Sequence, residues 1–158
     1  MARALIVGCG CLGLELAGRL EVDGWAVRGT SRTERGAERI ESRGFDGVVA
    51  DPDRVGTVLE HVGDVAVVVW ALGGTSGASA ADVNGPRLGR MLERLVDTPV
   101  RGFVLDAHAT PAGAKVMVAD ATRTWRIPSS VVEVPREQSD EWVEAVRAAV
   151  NDFLAPRG

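Results

Sequence analysis

A glycine-rich turn that follows the first apolar segment constrains the fold more than any other feature. Ala4–Val7 is a short, continuous apolar run, and the next six residues, Gly8–Gly13, have the spacing G-x-G-x-x-G. A helical pattern then continues until Gly24, with apolar residues four apart at Leu12, Leu16 and Leu20. A buried strand, a tight glycine turn and a helix in this order form the first half of a β–α–β unit.

The rest of the chain repeats this alternation of apolar runs and helical patterns. Five further strands are predicted, at Trp25–Gly29, Gly47–Ala50, Val65–Leu72, Val100–Leu105 and Val131–Val134. Helices are predicted from a Ser31/Glu34 capping box to Arg43, over Val55–Val62, from an Asn84 cap with Pro86 to Val96, and from Ser139 onwards. The segment Pro111–Thr124 fits a helix better, although Val116–Val118 alone fits a strand.

Six strands separated by helices indicate an α/β fold, because right-handed crossovers place helices on both faces of a parallel sheet. We therefore expect a doubly wound, Rossmann-like three-layer α/β/α architecture with strand order 3-2-1-4-5-6, and a ligand at the carboxyl edge between strands 1 and 4. No repeat or long linker divides the chain, so residues 1–158 are expected to form one domain.

The glycines of the turn have distinct expected roles. Gly8 makes the tight turn, Gly10 lets the backbone approach a pyrophosphate, and Gly13 lets the helix pack closely on the strand. The N–H groups of the loop, which includes Cys11 and Leu12, and the positive end of the helix then hold the diphosphate without a lysine. The alternative is a glycine-rich turn that holds no ligand.

The end of the second strand favours NADP(H) over NAD(H). NAD-binding proteins commonly carry an acidic residue there, but this chain has Thr30, Ser31 and Arg32. Two hydroxyls and a guanidinium suit the 2′-phosphate of NADP, whereas Arg28 lies within the strand and is expected to point elsewhere. The alternative is that Arg32 is a solvated charge and Ser31 only a helix cap.

Other positions are expected to line the same cleft. Asp51 follows strand 3 and could accept a hydrogen bond from the adenine amino group, or could belong to a helix-start turn. Strand 4 ends in Ala71, Leu72 and Gly73, which would pass close to the ribose and the nicotinamide, and Thr75 would sit at the cleft mouth.

These residues resemble the atypical, epimerase/dehydratase-like branch of the short-chain dehydrogenase/reductase superfamily. The resemblance covers about the first 75 residues, through Gly8–Gly13, Val27–Arg32, Asp51 and Ala71–Gly74. It implies NADP binding, and often a reduction or an epimerisation by a catalytic Tyr-x-x-x-Lys. That pair has no counterpart, because the chain has no tyrosine and its one lysine, Lys115, lies well beyond the helix after strand 4. Larger members add a C-terminal substrate-binding region, which we do not expect within the residues that follow the sixth strand here.

Candidate catalytic residues are weak. Asp106 and His108 follow strand 5 at the carboxyl edge, where an Asp–His pair could serve in proton transfer, although a loop histidine without a catalytic role is the better interpretation. If the protein reduces a substrate, His108 and Thr75 are the best available proton donors. Two cysteines and two histidines without C-x-x-C or H-x-x-H spacing predict no structural zinc site.

Composition limits the partners. A net charge of −4 argues against nucleic acid and anionic membranes, and the longest apolar run, Val65–Leu72, is too short to span a bilayer. We expect a soluble, cytoplasmic NADP(H)-binding Rossmann protein related to oxidoreductases, with a small-molecule substrate or a protein partner. The alternative is a non-enzymatic module that senses a dinucleotide or docks on a partner. A third reading, a nucleotide- or methyl-donor-binding domain, is disfavoured because such sites usually need an acid where Thr30 stands.

Overall fold

The computed structural model describes residues 1–73, 78–108 and 110–154, and it confirms the predicted α/β architecture. Its six strands pair in parallel in the order 3-2-1-4-5-6. The strands are β1 (Arg3–Val7), β2 (Ala26–Ser31), β3 (Asp46–Val49), β4 (Val67–Trp70), β5 (Gly102–Asp106) and β6 (Ser129–Val132). The helices are α1 (Cys11–Val22), α2 (Glu34–Ser42), α3 (Val55–Leu59), α4 (Ala78–Val83), α5 (Pro86–Leu95), α6 (Ala112–Trp125) and α7 (Ser139–Asp152).

The sheet lies between two apolar layers because its central strands are buried on both faces. In β4 the side chains alternate between the two layers, so that Trp70 faces one and Val69 the other. The first layer is formed by α3, α5 and α6 and holds Trp70 against Phe103, with ring centroids 6.2 Å apart. The second layer is formed by α1, α2 and α7, with Trp142 fully buried within it.

Several predicted strand boundaries are wrong by one or two residues, because strand pairing sets them. The second strand continues to Ser31, whose partner in β3 is Val49. The sixth strand begins at Ser129, opposite Phe103, and ends before the predicted Val134. Ser129 and Ser130 are polar residues on the outermost strand, where one side lacks a neighbour, and the apolar pattern therefore gives no sign of them. The helix α4 was not predicted, whereas the helix favoured for Pro111–Thr124 is present as α6.

Two predicted helix caps are also wrong. Ser31 does not cap α2, because it is the last residue of β2 and its hydroxyl accepts from the N–H of Thr33 at 3.3 Å. The cap is Thr33, whose hydroxyl accepts from the N–H of Gly36 at 3.0 Å. Asn84 does not cap α5, which begins after Gly85; its amide instead donates to a carbonyl inside the fold.

Candidate functional site

The glycine loop is held in one conformation by hydrogen bonds to the end of β2. The Gly8 N–H donates to the Thr30 hydroxyl at 3.1 Å, and the Cys9 N–H donates to the Thr30 carbonyl at 2.9 Å. The Gly10 N–H closes a tight turn onto the Gly8 carbonyl at 3.0 Å. Three consecutive N–H groups of the loop are therefore used inside the protein.

The next three N–H groups point out of the first turn of α1. Cys11, Leu12 and Gly13 are the first residues of the helix, where backbone donors have no intrahelical acceptor. Gly10, which precedes them, provides no side-chain cap, and within the described part of the chain these three N–H groups have no other acceptor. The first turn thus offers three parallel donors and the positive end of the helix dipole to an anion.

Two of the three glycines of the loop, Gly8 and Gly13, have a steric reason within the fold. At Gly8 φ is +84°, and a Cβ would lie 2.6 Å from Leu72 Cδ2. A Cβ at Gly13 would lie 3.1 Å from Cys9 Sγ, where α1 passes close to the loop. A Cβ at Gly10 would meet no atom within 4 Å, so its absence leaves open space above the loop.

A cleft of about 370 Å³ opens between this loop, the end of β2 and α2. It lies within the size range of small-molecule sites. Its lining includes residues 8–10, Thr30, Ser31, Arg32, Gly36, Arg39 and Leu72. The carboxyl edge between strands 1 and 4, the position expected from the topology, thus adjoins a cleft with two arginines.

The residues at the end of β2 differ in their orientation. Thr30 is 1% exposed, and its hydroxyl accepts the Gly8 N–H, so it faces the loop. Ser31 and Arg32 line the cleft. Arg28, as expected, turns away from the cleft: its guanidinium donates to Asp46 and Asp64, and these carboxylates raise its pKa.

Arg32 stands beside two carboxylates. Its Nε lies 3.6 Å from Asp51 Oδ1, and one terminal nitrogen lies 3.6 Å from Asp53 Oδ2. Asp51 also accepts the N–H of Asp53 at 2.9 Å, which is the turn that the sequence offered as the alternative for this residue. The side chain of Arg32 is 43% exposed, and it lines the cleft.

The end of β4 is tied to the rest of the carboxyl edge by two side chains. Arg136, in the loop after β6, donates to the Ala71 carbonyl at 2.9 Å, and Asn84 donates to the Leu72 carbonyl at 3.2 Å. At Gly73 a Cβ would lie 2.6 Å from an Asp106 carboxylate oxygen, so the backbone passes directly over that carboxylate.

Asp106 does not form the proton-relay pair with His108 that the sequence suggested. Its carboxylate is 1% exposed and accepts from Arg136 Nε at 2.8 Å and from Trp142 Nε1 at 3.1 Å. The Arg136 guanidinium also lies 5.0 Å from the centre of the Trp142 ring. His108 itself is exposed in the turn after β5, and Thr75 lies outside the described residues.

The one lysine and the two cysteines occupy different environments. Lys115 lies on α6 and donates to Glu133 at 2.7 Å, which lowers the pKa of that carboxyl. Burial raises the pKa of the Cys9 thiol to about 12, whereas Cys11 is exposed at the start of α1.

In the described part of the chain no helix is long and apolar enough to cross a membrane.

Sequence reasoning missed four residues of this region. Gly36 and Arg39 lie three apart on α2, and helical spacing from Thr33 would have placed them beside Ser31. A Cβ at Gly36 would lie 1.9 Å from Ser31 Oγ. Asn84 and Arg136 bring distant segments to β4, and no local signal predicts such contacts.

Comparisons with known proteins support the fold. No family model matches this sequence, and no curated protein matches it. The crystal structure of a putative short-chain dehydrogenase/reductase from Corynebacterium glutamicum is similar, with a TM-score of 0.68 and 17% identity, over 94% of this chain and 91% of that one. UDP-glucose 4-epimerase from Brucella ovis in complex with NAD has a TM-score of 0.67 and 14% identity, over 83% of this chain and 51% of that one.

The yeast methylglyoxal/isovaleraldehyde reductase complexed with NADPH has a TM-score of 0.63 and 16% identity, over 83% of this chain and 53% of that one. The chain thus spans about half the length of the epimerases and of this reductase. It has the Rossmann fold that is found in short-chain dehydrogenases/reductases and in epimerases related to them.

Proposed function

We propose that this chain binds a nicotinamide dinucleotide along the carboxyl edge of its sheet and prefers NADP(H) to NAD(H). The observation that carries the proposal is the first turn of α1, where the N–H groups of Cys11, Leu12 and Gly13 have no acceptor within the described residues. A Cβ on Gly10, the residue before them, would meet no atom within 4 Å, so there is open space beside this turn. A diphosphate needs such donors and such space, so the residues present fit this group. The similarity to solved structures with bound NAD or NADPH supports the same class of ligand.

The preference for NADP rests on the cleft at the end of β2. Ser31, Arg32 and Arg39 line it, and none of them is acidic. We assign the 2′-phosphate to the Ser31 hydroxyl and the two guanidinium groups, while Thr30 positions the loop through Gly8. Asp51 and Asp53 lower the net attraction for a phosphate, because they stand 3.6 Å from Arg32.

The remaining predicted positions would contact the adenine and the nicotinamide half of the cofactor. Asp51 would accept from the adenine amino group, and Ala71, Leu72 and Gly73 would pass beside the ribose and the nicotinamide. Arg136 and Asn84 hold this strand end in place through two backbone carbonyls. Bound NADP(H) would supply a hydride donor or acceptor at the nicotinamide ring.

Titration calorimetry with NADP⁺ and NAD⁺ tests the preference. We expect NADP⁺ to bind more tightly, and Arg32→Ala to weaken NADP⁺ binding by about tenfold while NAD⁺ binding changes by less than about twofold. Arg35→Ala is the matched control, since Arg35 is an exposed arginine of α2 outside the cleft lining. Tighter binding of NAD⁺, or an Arg32→Ala protein with unchanged NADP⁺ affinity, would show the assignment to be wrong.

A second candidate function is a dinucleotide-binding module without catalysis. It is favoured by the absence of tyrosine from the sequence and by Lys115, whose ammonium group is paired with Glu133 on the surface. NADPH oxidation with a panel of carbonyl compounds separates the two candidates. An oxidoreductase turns over one of them and loses activity in His108→Gln if that residue donates the proton, whereas a binding module holds NADPH and turns over none.

A further inference from the structure

A second cleft, which we call the arginine groove, lies between α3 and α5 on the first apolar layer. Its volume is about 510 Å³, and its lining includes Asp53, Val55, Leu59, Arg87, Arg90 and Arg94. Val55 is buried and Leu59 is half-buried, so the floor of the groove is apolar and its rim is charged. Neither the glycine loop nor Arg32 belongs to this lining.

The arginines are placed in a row by the helix itself. The helix α5 buries Leu88, Met91, Leu92 and Leu95 against the sheet. Positions 87, 90 and 94 are three and four residues apart, so they follow one another on a single face. With a rise of 1.5 Å per residue, the three side chains start within about 10 Å along the helix axis.

This row has almost no internal compensation. Arg87 Nε lies 3.9 Å from Asp53 Oδ1, at the limit of an ion pair, and Asp53 also pairs with Arg32. Within residues 1–73, 78–108 and 110–154, no carboxylate lies within 4.0 Å of the guanidinium of Arg90 or Arg94. Like charges on successive turns destabilise a helix. An anion bound between the arginines would relieve this local repulsion.

We infer that the arginine groove binds a small organic phosphate that carries two or more adjacent phosphate groups. Guanidinium groups match phosphate oxygens in bidentate geometry, and several in a row suit adjacent phosphates better than a single charge. The volume is that of a small-molecule site, and the apolar floor can accept the uncharged part of such a ligand. This inference does not depend on dinucleotide binding at the glycine loop.

Titration calorimetry with tripolyphosphate and with orthophosphate tests the groove. We expect tripolyphosphate to bind at least about tenfold more tightly than orthophosphate, and Arg90→Gln or Arg94→Gln to weaken its binding by about fivefold each. Arg101→Gln is the control, because Arg101 is an exposed arginine outside the groove lining, before β5, and it should change binding by less than about twofold. Circular dichroism confirms that the exposed substitutions leave the fold intact.

Four results would overturn the inference. The first is an equal affinity for tripolyphosphate and orthophosphate, and the second is a loss of tripolyphosphate affinity in Arg101→Gln as large as in the groove variants. The third is tripolyphosphate binding that disappears in Arg32→Ala but persists in the groove variants. The fourth is a protein that binds an acidic helical peptide but does not bind tripolyphosphate. The third would place the anion at the dinucleotide site, and the fourth would make the groove a protein-docking surface. The NADP⁺ affinity of Arg90→Gln and Arg94→Gln should stay within about twofold of that of the wild type. If no protein bound NADP⁺, only the proposed function would be refuted.

Discussion

The buried ion pair between Asp106 and Arg136 should be one of the most costly contacts to break at the carboxyl edge. The Asp106 side chain is 1% exposed and that of Arg136 is 28% exposed. Replacing Arg136 with alanine removes two hydrogen bonds, to Asp106 at 2.8 Å and to Ala71 at 2.9 Å, and leaves a buried carboxylate with only the Trp142 donor.

The expected loss of stability follows from the buried Asp106 carboxylate, which is left without its ion-pair partner. Removing one partner of a buried pair costs about 3–5 kcal/mol, and the partial exposure of Arg136 favours the lower end, about 3 kcal/mol. For a chain of 158 residues this corresponds to a fall of about 6–12 °C in the melting temperature. A double variant, Asp106→Asn with Arg136→Ala, should recover part of the loss, since no buried charge remains.

Urea unfolding of the three proteins measures these differences, with Arg123→Ala as the control. Arg123 pairs with Asp120 one helical turn away, and both side chains are more than half exposed, so its loss should cost less than about 0.5 kcal/mol. A loss below about 1 kcal/mol in Arg136→Ala would refute the argument. A double variant less stable than Arg136→Ala would refute it as well.

Three further predictions concern the loop, a thiol and pH. Gly8→Ala should destabilise the fold by about 1–3 kcal/mol, because φ is +84° and a Cβ would clash, whereas Gly10→Ala should change urea stability by less than about 1 kcal/mol yet abolish NADP⁺ binding. With its pKa raised to about 12 by burial, Cys9 should resist a thiol reagent in the native protein, so that one thiol is titrated before unfolding and two after it. The hydrogen bond from Arg147 lowers the pKa of Asp23 from 3.8 to about 2, so this contact stabilises the fold above about pH 4 and is lost as the pH falls towards 2. The urea midpoint of Arg147→Ala should therefore lie below that of the wild type at pH 7 and converge with it near pH 2; a constant difference would contradict this.

The spacing of apolar residues predicted the helices and strands whose formation depends mainly on which of their faces are buried. Val67–Trp70 lies within a predicted apolar run because a central strand is buried on both faces, and α1 follows the leucine spacing because one of its faces packs on the sheet. The first and last residues of strands were less predictable. Ser129 pairs because Phe103 stands opposite it, and this depends on a partner 26 positions away in the chain.

The candidate site also has features that the sequence predicted and features that it did not. The positive φ of Gly8 and the open position of Gly10 follow from a turn that the glycine spacing already specified. The inward orientation of Thr30 does not, because it is decided by a hydrogen bond to Gly8 across adjacent strands. The sequence suggested that Asp106 could pair with His108 in proton transfer. Only the tertiary structure shows that its buried carboxylate accepts hydrogen bonds from Arg136 and Trp142 instead.

By itself, the sequence determined the class of fold and the glycine turn, since these follow from residue type and from spacing along one chain segment. The tertiary structure alone decided which side chains meet at the carboxyl edge, because Ala71, Asp106 and Arg136 come from three separate segments. It also decided that Arg87, Arg90 and Arg94 line a groove, since a row of arginines on a helix encloses nothing until α3 packs beside it. Short-range patterns specify elements, and the sheet specifies their neighbours.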